Sequence, residues 1–252
     1  MVKQERAVDA ISASLMSDPC VKAVFLKGSM GRNEHDENSD VDLYCLVEEE
    51  DKEAFLKDRK SHVESYGTLL FYDEIFIIAP QIIAVYDDML HLDLFTVTDE
   101  TIIEKDYFSV LYDPDNRMAN YDQHLTLSHQ EFINDVDDTA FFLFQYEKAK
   151  RRGNKIWSVQ MLNNVMVHFA RVLLHRYHPN RAQLGLKTLD STLDGEQIDK
   201  VEMIFRHLTV DYYETAAELI RSWLNEEKKW ILEQMEETTY TQGFLKEMIE
   251  CN

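Results

Sequence analysis

Asp40 and Asp42, in the stretch SDVDLYCLV, stand one residue apart and follow a Gly28-Ser29 turn across a short polar loop. On a β-strand, side chains two apart share a face, so the two carboxylates project together while Val41 and Leu43 face a core. Paired carboxylates suit a hard divalent cation, which takes oxygen ligands and keeps some of its water. Without a cation they repel, and burial would push one of them to hold a proton. Gly28 supplies the other half of the arrangement. A glycine at a strand end lets the backbone approach a ligand closely, and the amides after it open a helix, where free N–H groups and the dipole favour phosphate. Ser29 adds a hydroxyl and Arg32 a forked donor for phosphate oxygens. An anion cradle beside a metal-holding pair describes a nucleoside triphosphate site, with the metal bridging phosphate oxygens while a phosphoryl bond breaks. It is not the GxxxxGK[ST] loop, which is absent. The competing reading, a polar loop between two strands, requires turn, hydroxyl, arginine and paired acids to coincide.

The elements that must position these groups follow from hydrophobic period. Val8, Ile11 and Leu15 line one face of a helix over 5–16, and VKAVFLKG is a short buried strand ending at Gly28. SMGRNEH is a turn entering a short helix, SDVDLYCLV a second strand, and 51–65 a charged surface helix whose apolar contacts are Phe55 and Leu56. LLFYDEIFIIA and QIIAVYDDMLHLDLFTV are strand-like, the latter a hairpin turning near Asp87 and Asp88, and FSVLYDPDNRM adds a strand stopped by Pro114. From Ser128 onward strand signal almost vanishes. Ser128 and Glu131 form a capping box for a helix running to Gly153, and Asn154 caps a second helix closed by Pro179. Further helices are expected over 196–208, 211–237 and near the C-terminus. The fold class is α+β, with a mixed sheet and flanking helices over 1–115 and an all-helical bundle over 125–252.

Composition narrows the partners. The 252 residues carry 47 acids against 26 bases, a formal charge of −21, which repels nucleic acid and anionic membrane and attracts cations. Most of this excess reads as solvated helix faces, and the run Glu48 to Asp51 as a solvated loop. Cys20, Cys45 and Cys251 are widely spaced, with no CxxC pair, which makes a reducing compartment the default; Cys45 reads as a small buried residue. The amphipathic N-terminus lacks a signal-peptide core and no stretch approaches the ~20 apolar residues of a membrane span, so a cytoplasmic location is expected.

The run G-S-x-G-R followed by S-D-x-D-L resembles the signature of the nucleotidyltransferase superfamily typified by DNA polymerase β. The helical C-terminal half, and the helix–[KR]RG–helix arrangement at Arg151, Arg152 and Gly153, resemble its antibiotic-modifying branch, the kanamycin and lincosamide nucleotidyltransferases. The resemblance implies that Asp40 and Asp42 bind Mg2+ and that Gly28, Ser29, Arg32 and Ser39 hold the triphosphate of ATP or another NTP. It also implies a third carboxylate on a later strand. HLDLF is the best match, with Asp93 sharing a face with His91 and Phe95, whereas Asp73, Glu74, Asp87 and Asp88 read as turn residues. A glutamate base from the first C-terminal helix is implied too. Gln145 falls at that position and cannot serve, which leaves Asp93 or Glu147 to deprotonate the acceptor; Lys148 and Lys150 read either as phosphate contacts or as plain surface lysines.

The expected activity is therefore transfer of a nucleoside monophosphate to a hydroxyl of a small molecule, an aminoglycoside or lincosamide antibiotic being one class of acceptor, by a monomer or homodimer. The acidic balance suits a cationic acceptor. Two other readings stand beside it: a nucleotidyltransferase-like protein modifying a protein or RNA partner, as in toxin–antitoxin pairs, and a non-catalytic nucleotide-binding module. His168, His175 and His178 read as core or surface histidines, and the aromatics of FFLFQY as core.

Overall fold

A computed structural model describes residues 2–77, 79–102, 106–235 and 239–251. The chain divides into two compact units, Met1–His124 and Leu125–Asn252. The first contains α1 (Lys3–Met16), β1 (Val21–Leu26), a single turn α2 (Gly28–Gly31), β2 (Val41–Val47), α3 (Lys52–Val63), β3 (Leu69–Phe76), β4 (Pro80–Tyr86), β5 (His91–Val97) and β6 (Ser109–Tyr112). The six strands form one sheet in the order β3-β4-β5-β2-β1-β6. Every neighbouring pair is antiparallel except β2 and β5, which run parallel.

Alternation along the strands sorts the sheet into two faces. Val41, Leu43, Cys45 and Val47 of β2 join Ala7, Ile11 and Leu15 of α1 and Phe55 and Val63 of α3 in the larger core. The opposite face holds a smaller cluster built on Ala23, Phe25, Leu46, Val97 and Phe108, with Tyr44 and Phe95 packed against it. The polar side chains of β2 and β5 therefore emerge on the thinly covered face.

Two elements differ from expectation for stated reasons. Asp73 and Glu74 lie in β3, not in a turn. The strand is an edge, so alternation there separates no core from solvent, and Glu74 pairs instead with the buried Arg59 of α3 at 3.1 Å. In α3, Phe55 is buried but the rest of the inward face is Arg59, His62 and Val63. His62 contacts Ser14 (2.9 Å) and Asp18 (3.2 Å), which satisfies an imidazole that the sequence pattern assigns to the surface.

The second unit contains α4 (His129–Arg151), α5 (Lys155–Tyr177), a 3-10 segment over Pro179–Thr188, α6 (Leu189–Thr192), α7 (Gly195–His207), α8 (Tyr213–Gln234) and α9 (Thr239–Glu250). The end of the helix expected over 211–237 falls outside the described residues. The 3-10 segment and α6 fill a stretch where the sequence shows no helical period. The Ser128–Glu131 capping box forms as expected. Leu143 and Tyr146 of FFLFQY are fully buried, but Phe141 and Phe144 are exposed, contrary to the core assignment. A helix of about 3.6 residues per turn cannot turn five apolar residues of six inward. His168 is held by Asp135 of α4 at 2.9 Å. Among the described residues no helix is long and apolar enough to cross a membrane.

Gly153 closes α4 in the left-handed conformation (φ 68°), with no atom crowding the place of a Cβ, and Asn154 then caps α5 by accepting from the Trp157 amide. Only backbone conformation should therefore resist a side chain there. Gly153→Ala is expected to destabilise the helical unit by about 1 kcal/mol, read as a lowered denaturant midpoint without change in helical circular dichroism.

Candidate active site

The parallel register of β2 and β5 sets Asp42 directly beside Asp93, Tyr44 beside Phe95 and Leu46 beside Val97. Asp40 and His91 extend the same rows by one step, with His91 Nδ1 3.9 Å from Asp40 Oδ2. Two sequences that alternate alike, D-x-D-x-Y and H-x-D-x-F, thus form a tile of ionisable groups on one face of the sheet, bordered by aromatics. The aromatic border is continuous. Phe25, Tyr44 and Phe95 stack across three neighbouring strands, with centroids 5.2 Å and 4.4 Å apart. Burial, and then the charges of Asp42, Asp93 and Asp106, push the Tyr44 hydroxyl's pKa well up, so it remains a neutral phenol beside the carboxylates.

Gly28 meets this tile from β1. Its φ is +61°, and a Cβ placed on it would fall 1.9 Å from Asp42 Oδ2. The carboxylate thus lies against bare backbone, at a distance that only glycine permits. The Lys27 amide donates to the Asp42 carbonyl at 3.0 Å, which ties the turn to β2. Gly31 is required as well, because a Cβ there would lie 2.7 Å from the Leu26 carbonyl oxygen. The Ser29 hydroxyl is closed off from solvent and finds no hydrogen-bond partner among the described residues. Such an orphaned hydroxyl beside a backbone cradle fits a polar ligand.

Not every expected residue reaches the tile. Arg32 is engaged by carboxylates: its Nε bonds Glu34 at 2.9 Å and its Nη1 bonds Asp106 at 2.7 Å. Burial works against its charge, and the pairings with Glu34 and Asp106 outweigh it, raising its pKa. The Ser39 hydroxyl is spent on the loop, accepting from the Asp36 amide at 3.0 Å and facing Asp36 Oδ1 at 3.2 Å. Lys27 is a residue that sequence reasoning missed. It is buried, sits 5.3 Å over the Tyr44 ring, and has its pKa lowered by burial against the opposing pull of Asp106. Its only sequence signal was its place one residue before Gly28.

In the helical unit, Glu147 is buried and its Oε1 accepts from Arg221 Nη2 at 2.6 Å, while Arg221 Nε donates to the Met248 carbonyl at 3.0 Å. Lys148 rests 5.2 Å over the Phe144 ring.

The donors present fit a divalent cation. Asp40, His91 and Asp93 each offer one ligand atom within 4.8 Å of the others. Asp93 Oδ1 and His91 Nε2 are buried without a hydrogen-bond partner. Like charges about 4 Å apart repel by roughly 4 kcal/mol at an effective dielectric of 20, a cost that an ion between them removes.

Residues 10–107 match the family described as nucleotidyltransferase domain. That span contains the turn, Asp40, Asp42 and the whole of β5. Residues 10–107 form a nucleotidyltransferase domain. Among solved structures the chain is similar to an aminoglycoside 6-adenyltransferase from Bacillus subtilis, at 15% identity over 100% of both chains and a TM-score of 0.37. It is also similar to a nucleotidyltransferase-like protein from Exiguobacterium sibiricum (12% identity, 93% of this chain and 80% of that one, TM-score 0.35). A third is the STING-associated CdnE c-di-GMP synthase from Capnocytophaga granulosa (14%, 98% and 77%, TM-score 0.33). At these values the neighbours do not decide a substrate. No curated protein matches.

Two outcomes follow, one for the glycine turn and one for the buried ion pair of the helical unit. Gly28→Ala must displace the Asp42 carboxylate, so it is expected to weaken divalent-cation binding about tenfold or more, measured by calorimetric titration against the parent protein. Glu147→Ala strands Arg221 and is expected to cost about 3–5 kcal/mol of stability, measured by chemical denaturation.

Proposed function

We propose that the protein transfers a nucleoside monophosphate, from ATP or another NTP, to a hydroxyl of a small molecule with the help of Mg2+. The observation that carries this reading is the placement of Asp42 beside Asp93, under a glycine turn that no side chain could occupy. In it, the first unit is catalytic and the helical unit binds the acceptor. Asp40, Asp42 and Asp93 would hold the ion, whose contribution when bound is to offset charge on the phosphate oxygens. The backbone at Gly28 and Ser29, with the orphaned Ser29 hydroxyl, would orient the triphosphate. Arg32 supports the turn through Asp106, leaving the phosphates to the backbone, and Ser39 holds the loop that presents Asp40.

Between the two candidate bases, the structure's pairings favour Asp93. Glu147 is committed to Arg221, whereas Asp93 Oδ1 has no hydrogen bond. In this reading Asp93 would accept the proton of an acceptor hydroxyl as it attacks the α-phosphorus and pyrophosphate leaves. A proton accepted there leaves the tile less negative as pyrophosphate departs. The aromatic row of Tyr44 and Phe95 closes the inner side of the tile and keeps Asp93 only 14% exposed. The net charge of −21 favours a cationic acceptor, and an aminoglycoside is the class that fits best, with lincosamides the neutral-leaning comparison.

The test is pyrophosphate release in the presence of Mg2+, each NTP in turn, and a panel of aminoglycosides and lincosamides. Release that depends on a small acceptor is expected, and Asp42→Asn should lower it by about 10^3-fold, since several kcal/mol of charge stabilisation are at stake, with the melting temperature retained. Label transferred to protein or RNA instead would shift the acceptor class, and undiminished turnover in Asp42→Asn would defeat the assignment.

A further inference from the structure

The outer corner of the tile holds a residue that a set of three carboxylates does not need. His91 presents Nδ1 toward Asp40 Oδ2 at 3.9 Å and Nε2 toward Asp93 Oδ1 at 3.3 Å. The second contact is close enough for a hydrogen bond but is not aligned as one. Both atoms are closed off from solvent, and neither has a hydrogen-bond partner. A nitrogen and a carboxylate oxygen therefore face each other with their bonding capacity unspent, a costly arrangement unless a third body completes it.

The spacing suits an ion. Donors bound at about 2.1 Å on adjacent octahedral corners stand about 3 Å apart, and on opposite corners about 4.2 Å. One atom each from Asp40, His91 and Asp93 lies within 4.8 Å of the others, about half an ångström beyond the opposite-corner span, a gap that a small side-chain adjustment on binding would close. His91 also shares the register that brings Asp93 to Asp42, so the strand pairing that builds the carboxylate pair delivers the imidazole with it.

We propose that His91 is a ligand of the ion, making this a mixed nitrogen–oxygen site that favours first-row transition ions over Mg2+. The proposal rests on the reading of the tile as an ion site and adds the donor that sets its selectivity. Imidazole is a good ligand for first-row transition ions. Mg2+ asks for oxygen at near-ideal octahedral geometry and keeps water readily, so it exchanges an imidazole for water at little cost. The site thus accepts Mg2+ through its carboxylates and gains from His91 chiefly with a transition ion.

Mn2+ is the probe, titrated into the full chain without nucleotide and followed by electron paramagnetic resonance, with Mg2+ as competitor. Electron spin-echo envelope modulation of the bound Mn2+ should show nitrogen coupling. His91→Ala should weaken Mn2+ at least about tenfold while changing Mg2+ competition only slightly, and it should abolish the coupling. Mn2+ bound in the parent protein without nitrogen coupling, or with affinity unchanged in His91→Ala, would overturn His91 ligation and leave the ion site standing. Failure of the parent protein to bind Mn2+ would overturn both. The spectrum of the parent protein decides the matter even if the variant folds poorly.

Discussion

The side-by-side placement of Asp42 and Asp93 is the constraint around which the first unit is organised. Two carboxylates on adjacent strands of one sheet face are repulsive, and the parallel pairing of β2 with β5 leaves neither free to turn away. That pairing is secured elsewhere. The larger core locks α1 and α3 onto the far face through Val41, Leu43 and Cys45, and alternation then fixes where the acids must emerge. Slipping β2 by one residue would bury the acids and expose that core. Hydrophobic burial on one face thus enforces an electrostatic cost on the other.

The turn at Gly28 is fitted to this pair. Its positive φ and the absence of a Cβ let the backbone run against Asp42, and the carbonyl of the same aspartate receives the Lys27 amide. One residue therefore serves the sheet through its backbone and the site through its side chain. Around it the counter-charges are already assigned: Arg32 to Glu34 and Asp106, and Lys27 to a buried position over Tyr44. The Arg32 charge thus supports the turn through its carboxylate partners, whereas burial works against the charge of Lys27.

Much of this was legible in the sequence because alternation has few solutions. D-x-D must share a face, HLDLF puts His91, Asp93 and Phe95 on one side, and S-x-x-E before an apolar run starts a helix. What escaped was pairing through space. Arg32 reads as a free phosphate donor until Asp106, far along the chain, is seen to hold it. Glu147 reads as a candidate base until Arg221 of α8 is seen against it. Arg59 and His62 look like surface charge on α3 because burial of a polar group depends on partners from other elements. His91 was visible on the correct face, but its value lay in the register with Asp40, which no single strand reveals.

The central claim is that an ion and a polyphosphate meet between the Gly28 turn and the Asp42–Asp93 row. Crystals grown with MnCl2 and a non-hydrolysable nucleoside triphosphate, with data collected at the manganese edge, test it directly. The account predicts one anomalous peak within bonding distance of carboxylate oxygens of Asp42 and Asp93, with phosphate density on the Gly28 and Ser29 backbone. A peak elsewhere, or a triphosphate bound away from that turn, would contradict it.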